Sequence, residues 1–440
     1  MVKNRLLNRL ENIMEYETSS GIVLLCVTFI TILWANSPAY ETYQHFIHYP
    51  LGFTLGAENI THSLQHWVND GLMVVFFFMV GLEIKREIVD GELSTPKKAA
   101  LPMFAALGGM VVPALLYLAF NAGTPAAAGW GIPMATDIAF AVGILSLASK
   151  RVPFSLKVFL LALAIVDDLG AILVIAFFYT SKFSGSHLGL AAIVFFLIYA
   201  FGTAGIRNYF VYIILGVIAW YFILKSGIHA TITGVIIGFL TPAKAFTRPI
   251  KIMEKIQPLF NTVSKDLETA DKDHVRPAKH RTQNGLLGLS REAYEGVAPV
   301  DRLIHKLHPW VAFIIMPLFA ITNAGVRLDS EVLSNLASNH ISLGIIAGLF
   351  IGKPLGVLLA SFIATRLGLA QLPEGVTWKH ITALGFLAGV GFTMALFISH
   401  LALKVPEIEV YSKLGILIAS ILSAIVGLCI LFSFKEEAKD

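Results

Sequence analysis

The sequence predicts an all-α polytopic membrane protein of about twelve transmembrane helices. Composition, apolar runs of bilayer length and the placement of basic residues each point to it. Of the 440 residues, 56% are hydrophobic and only 14% charged, with a mean hydropathy of +0.73. A soluble domain of this length needs more charge to cover its surface. Apolar stretches lie near 20–36, 66–84, 99–120, 128–148, 154–179, 187–204, 209–224, 227–242, 309–325, 341–364, 381–402 and 411–434. Helices are required because hydrocarbon leaves exposed backbone groups unsatisfied. The stretches at 209–224 and 227–242 are short enough to be tilted or partly re-entrant. The formal charge of +4 is small, and its basic residues are not interleaved with exposed aromatics, which argues against a nucleic-acid partner. Cys26 and Cys429 sit inside apolar runs and suggest neither a disulfide framework nor a metal site.

Basic residues set the orientation. With both termini cytoplasmic, the outer loops hold only Lys182, Lys225, Arg327, Lys404 and Lys413, and the long loop 37–65 holds no Lys or Arg at all. Residues 1–19 then form a cytoplasmic amphipathic N-terminus, 20–242 the first eight spans and 309–434 the last four. Residues 243–308 form a cytoplasmic loop, partly flexible, and 435–440 a short cytoplasmic tail. The start, with Lys3, Arg5 and Arg9, resembles a signal peptide, but its apolar run is span-length. Leu6, Leu7, Leu10, Ile13 and Met14 recur at helical spacing, as in a helix lying on lipid. The stretch 262–300, mixed in charge and poor in apolar residues, is expected to carry no fold of its own. From Pro299 onward, Val300, Leu303, Ile304 and Leu307 fit a short amphipathic helix leading into the next span.

Charges in the middle of a span are costly and usually functional. Asp137, Asp167, Asp168 and Lys353 fall almost at span midpoints. Thr136 precedes the first of them, in a span opened by the helix-weakening Gly129, Gly131 and Pro133; the span at 381–402 carries Gly385, Gly389 and Gly391 near its middle. Two interrupted spans point to a transport site between broken helices. Each break exposes amides at one half-helix end and carbonyls at the other; Asp137 suits the amide ends and Lys353 the carbonyl ends. The plainer reading, glycines that merely allow close packing, weakens when both spans are considered together. Neighbours on a helix point about 100° apart, so Asp167 and Asp168 face different surroundings: one a water-filled cavity, the other an adjacent helix. A carboxylate that titrates near neutral pH holds either a proton or a hard cation such as sodium or lithium. Lys353 is then either a fixed counter-ion or a second proton carrier. A purely structural ion pair explains less, since three acids face one base.

The segments PMATDIAFAVG, ALAIVDDLGAI, MVGLEIKRE, LKSGIHATITGV, LHPWVAF, FAITNAGV and GLFIGKPLG resemble the NhaA family of sodium/proton antiporters, across nearly the whole chain. The resemblance implies inverted repeats and two discontinuous helices crossing at the midplane. It implies Asp168 as the main cation carboxylate, with Asp167 lining the same site and pairing with Lys353 in the proton-loaded state. Asp137 and Thr136 would sit where the broken helices cross. Glu83 matches a position tied to cytoplasmic cation access and pH response, a role Glu87 would share; both otherwise read as interfacial glutamates. Asn69 and Asp70 match a polar pair, and His229 matches a family histidine that alone reads as an interhelical hydrogen bonder. Two departures touch the cytoplasmic pH-sensing region: Ile304 stands where the family has Glu, and the 262–300 loop is longer.

The resemblance implies electrogenic exchange of cytoplasmic sodium or lithium for external protons, without a cofactor, by a multi-pass transporter of the bacterial inner membrane, with a homodimer suggested and the 37–65 loop available for a hairpin. Other classes fit less well. A channel needs a repeated filter loop, an intramembrane aspartyl protease resembles a GxGD motif missing here, and a cation-coupled symporter shares the broken helices but calls for an organic solute.

Overall fold

The computed structural model describes residues 17–55, 58–180, 183–206, 209–245, 249–273, 279–403 and 405–435. The predicted amphipathic N-terminus therefore lies almost wholly outside the described residues. Helices dominate, in chain order: α1 (Glu17–Ala35), α2 (Tyr40–Ile47), a hairpin of β1 (Pro50–Leu55) and β2 (Glu58–Ser63), and α3 (Met73–Asp90), entered through a wide π-helical turn at Trp67–Leu72. The hairpin is antiparallel, with Pro50 opposite Ser63 and Leu55 opposite Glu58.

Next come α4 (Pro96–Asn121), a tight 3₁₀ segment (Pro125–Met134), α5 (Ile138–Leu147), α6 (Phe154–Phe178), α7 (Gly185–Thr203), α8 (Tyr209–Ser226) and α9 (Ile232–Leu240). A cytoplasm-assigned pair, α10 (Pro249–Asp273) and α11 (Lys279–Glu295), precedes α12 (Pro299–Trp310), which runs through a π turn into α13 (Met316–Asn323). After a short α14 (Ser330–Leu336), α15 (His340–Ile346) continues through a π turn at Ala347–Gly352 into α16 (Lys353–Arg366). The chain ends with α17 (Trp378–Ala388), α18 (Phe392–Ala402) and α19 (Pro406–Phe432).

Among the described residues, six helices are long and apolar enough to cross a bilayer alone, and up to nine if each of three bent pairs counts as one span. Large apolar side chains point outward, among them Phe29, Leu115, Phe196 and Phe210, while Asp137, Asp167, Asp168 and Lys353 are buried. That inversion suits hydrocarbon as the surrounding solvent, where the costly groups face the bundle interior.

One sequence expectation changes. The stretch 262–300, expected to lack a fold, is largely helical in α10 and α11. Its few apolar residues form a narrow seam, with Val263 over Gly285 and Leu259 over Gly288, and Lys255 pairs with Glu292 at 2.9 Å. The stretch 227–242, read from sequence as short enough to be tilted or partly re-entrant, holds a helix only over Ile232–Leu240. At about 1.5 Å per residue this is far shorter than the hydrocarbon core.

Small residues set the helix spacing. A Cβ at Gly234 would lie 2.2 Å from the Val74 carbonyl oxygen, so α9 presses directly on the α3 backbone. On α16, a Cβ at Gly356 would lie 2.1 Å from the Gly108 carbonyl oxygen of α4. Gly356→Ala is therefore expected to force these helices apart, costing about 1–3 kcal/mol and lowering the unfolding temperature of the purified protein by several degrees. An unchanged melting temperature would contradict backbone contact at this crossing.

Candidate functional site

Both spans are bent between two shorter helices, the first just after Met134 and the second at Gly389–Gly391. The 3₁₀ segment and α5 meet at 41°, and α17 and α18 at 46°. The two breaks touch. The Asp137 amide donates to the Val390 carbonyl at 2.8 Å, and the Thr136 hydroxyl donates to the Ala388 carbonyl at 2.8 Å. Gly389 ends α17 and Gly391 precedes α18. A Cβ at Gly389 would meet the Leu349 carbonyl oxygen at 2.4 Å, so only glycine fits. Gly385 needs correction: it lies inside α17 and lets the Pro354 backbone approach, a Cβ there falling 2.9 Å from the Pro354 Cα.

The exposed half-helix ends are all met by side chains. Asp137 caps both amide ends at once. Its Oδ1 accepts from the Phe140 amide at 3.1 Å; its Oδ2 accepts from the Thr393 amide at 3.1 Å and from the Thr393 hydroxyl. Half-helix N-termini carry partial positive charge, and one carboxylate offsets two of them. The carbonyl ends receive donors: Lys353 Nζ donates to the Met134 carbonyl, and Thr136 serves Ala388. Lys353 reaches this point because it opens α16, which the Gly108–Gly356 contact holds against α4.

Asp167 and Asp168 divide as neighbouring helical residues must. Asp167 turns toward α16, its Oδ2 lying 2.5 Å from Lys353 Nζ, with both side chains fully buried. Asp168 instead lines a cavity of about 270 Å³, whose walls also include Asp137, Thr393, Glu83 and Glu87. Four carboxylates, Glu83, Glu87, Asp137 and Asp168, thus line one pocket.

Glu83 and Glu87 stand one turn apart near the end of α3, with Arg86 between them on the cavity wall. The Glu87 carboxylate also accepts from the Glu92 amide at 3.0 Å, closing the helix end. Ile304 also lines the cavity and packs against Leu82 and Val300, an apolar surface at the position where the resemblance has Glu. Asn69 lies outside this pocket in a reciprocal amide pair with Asn323, at 3.1 and 2.8 Å; Asp70 and His229 are also outside it.

Sequence reasoning missed Thr393, the Met134 carbonyl, and Ser20 and His308 of the cavity wall. Thr393 alone left a trace: a hydroxyl two residues past a glycine break, where a half-helix amide needs company.

The sodium/proton antiporter reading rests so far on short segments and this geometry. A family model described as Na+/H+ antiporter 1 matches residues 11–431. The chain belongs to this antiporter family. Similar relatives carry the same description at nearly full length. The Na(+)/H(+) antiporter NhaA 2 of Sorangium cellulosum is 45% identical over 421 residues, covering 96% of this chain and 89% of the relative. The Na(+)/H(+) antiporter NhaA of Janthinobacterium sp. is 43% identical over 432 residues, covering 97% and 93%. The Na(+)/H(+) antiporter NhaA of Escherichia coli O139:H28 is 44% identical over 425 residues, covering 96% and 97%. Membership in this antiporter family, with several apolar helices, makes the chain a membrane transporter rather than a catalytic enzyme.

Proposed function

We propose that this chain exchanges cytoplasmic sodium, or lithium, for external protons by alternating access in the bacterial inner membrane, serving sodium and pH homeostasis. The observation that carries the reading is the split of the aspartate pair: Asp168 on the cavity, Asp167 held by Lys353. Asp168 holds a proton or a hard cation but not both, and that exclusion couples the two flows. Asp137 keeps the broken-helix ends neutral enough for a cation to settle beside them. In the state seen here, Lys353 occupies Asp167, as the resemblance implies for the proton-loaded form. Its release would provide a second proton step. Two protons per cation make the cycle electrogenic, so the membrane potential drives export.

We read the fold as twelve spans with both termini cytoplasmic. The cavity then opens inward, because Ser20, Glu83, Glu87 and His308 lie at ends assigned to that side by the basic residues. The opposite side is shut by Phe397, packed on Phe77 and Phe319 with ring centroids 5.4 and 6.1 Å apart. Lipid covers the apolar belt. The β1–β2 hairpin offers a surface for a homodimer, in keeping with the resemblance.

The test is sodium-induced dequenching of a pH dye in respiring everted vesicles. Rapid dequenching by sodium or lithium is expected from the wild type. Silence at every pH from about 6 to about 9, the range in which a buried carboxylate exchanges its proton, would sink the reading. Sodium-driven uptake of an organic solute would indicate a symporter instead.

A further inference from the structure

The first half of the broken span, Pro125–Met134, is wound as a 3₁₀ helix for ten residues, whereas such windings are seldom longer than about four residues. The sequence explains part of this. Pro133 has no amide to give the Gly129 carbonyl, and its ring would clash there in an α-helix. The rest comes from neighbouring helices. The hydroxyl of Tyr117, a fully buried residue of α4, donates to the Ala126 carbonyl at 2.7 Å. The hydroxyl of Tyr179, one residue past α6, donates to the Ala128 carbonyl at 2.8 Å.

Both phenols reach the backbone beside a glycine. A Cβ at Gly129 would lie 2.6 Å from the Tyr117 oxygen, and one at Gly131 would lie 2.8 Å from the Tyr179 oxygen. Two glycines that weaken the helix thus also admit two hydroxyls. In an α-helix the Ala126 and Ala128 carbonyls would belong to the amides of Trp130 and Ile132. A side chain inserted into that ladder draws the carbonyl outward. The tighter i→i−3 bonds remain, as where the Ala127 amide donates to the Thr124 carbonyl at 3.0 Å.

The consequence is a length. At about 2.0 Å per residue rather than about 1.5 Å, the segment carries its last carbonyl about 5 Å further into the bundle. That carbonyl belongs to Met134 and receives Lys353 Nζ. Pro133 sits beside it on Gly348, in the π turn that leads to Lys353; a Cβ at Gly348 would lie 2.6 Å from the Pro133 Cβ. The side-chain partner of Lys353 is Asp167, at 2.5 Å. A buried ammonium that gives up one acceptor needs another, and the Met134 carbonyl is already in place.

We propose that Tyr117 and Tyr179 are positioning residues for the exchange. By holding the half-helix in its 3₁₀ winding, they place the Met134 carbonyl where it keeps Lys353 while a cation displaces that lysine from Asp167. The inference rests on the antiport reading and adds the step that frees Asp167. Without the two hydroxyls the segment relaxes toward α winding and the carbonyl withdraws. Lys353 then stays on Asp167 and competes with sodium.

The test is the sodium dependence of dequenching in everted vesicles at one fixed pH, normalised to the amount of protein in the membrane. The Tyr117→Phe, Tyr179→Phe double variant keeps both rings and loses only the hydroxyls. Its half-saturating sodium concentration is expected to rise at least about tenfold, as for one lost hydrogen bond to a charged group. Its maximal rate is expected to stay within about twofold of wild type. Gly129→Ala, whose methyl displaces the Tyr117 hydroxyl and leaves the tyrosine in place, is expected to raise half-saturation as well. A purely structural loss lowers the maximal rate and leaves half-saturation where it was. Unchanged half-saturation in the double variant, or exchange lost at every sodium concentration in both variants, would overturn the inference. Wild-type vesicles are read in parallel. Normal dequenching there beside unchanged half-saturation in the double variant rejects the tyrosine role alone, whereas no dequenching in wild type rejects the antiport reading itself.

Discussion

Asp168→Asn is expected to abolish sodium- and lithium-induced dequenching in everted vesicles, while protein remains in the membrane at wild-type amounts. Asparagine keeps the shape and one acceptor oxygen but can neither ionise nor release a proton. On the cavity wall, beside Asp137 and Thr393, the loss removes the negative charge that compensates a desolvated cation. Removing one partner of a buried charge pair costs about 3 kcal/mol or more, roughly 100-fold or more in affinity. The fold should survive, because Asp168 faces a cavity and lies at no helix break. A variant retaining even a tenth of wild-type exchange, about 1.4 kcal/mol of loss, would move the cation to another carboxylate.

The second large effect is expected at Asp137, and here stability and transport fall together. Asp137→Ala leaves the Phe140 and Thr393 amides and the Thr393 hydroxyl without their shared acceptor. Each lost cap costs about 1 kcal/mol, and buried unsatisfied donors add about 1–3 kcal/mol. The unfolding temperature of purified protein should drop by several degrees, and exchange should fall at least about tenfold as the crossing loses its neutralising charge. Asp137→Asn keeps one acceptor oxygen, so it should recover much of the stability but little of the transport. Equal melting temperatures for the alanine and asparagine variants would show that the caps are not what holds the two breaks together.

Much of this site was readable before the fold was known. A charge inside an apolar run is conspicuous, so Asp137, Asp167, Asp168 and Lys353 stood out from sequence alone. The 100° step between helical neighbours anticipated that the aspartate pair would divide. Gly389 and Gly391 marked the second break, but Gly385, three residues before the helix end, served the approach of Pro354 instead. Local pattern cannot tell a glycine that ends a helix from one that admits a neighbour. Thr393 and the Met134 carbonyl were out of reach for a different reason. Thr393 meets Asp137 across 256 residues, and Lys353 meets Met134 across 219; only the packing of the helices brings them together. The helices in 262–300 were missed because a seam of few apolar residues opposite glycines is invisible without its partner.

The central claim is that cation and proton compete for one carboxylate. It is tested most directly by sodium binding to purified wild-type protein, with the protons released counted across a range of pH. Apparent sodium affinity is expected to fall about tenfold or more per unit of acidification, with at least about one proton released per ion bound, and neither effect is expected in Asp168→Asn. Sodium binding of constant affinity without proton release, or with release unchanged in that variant, would contradict it.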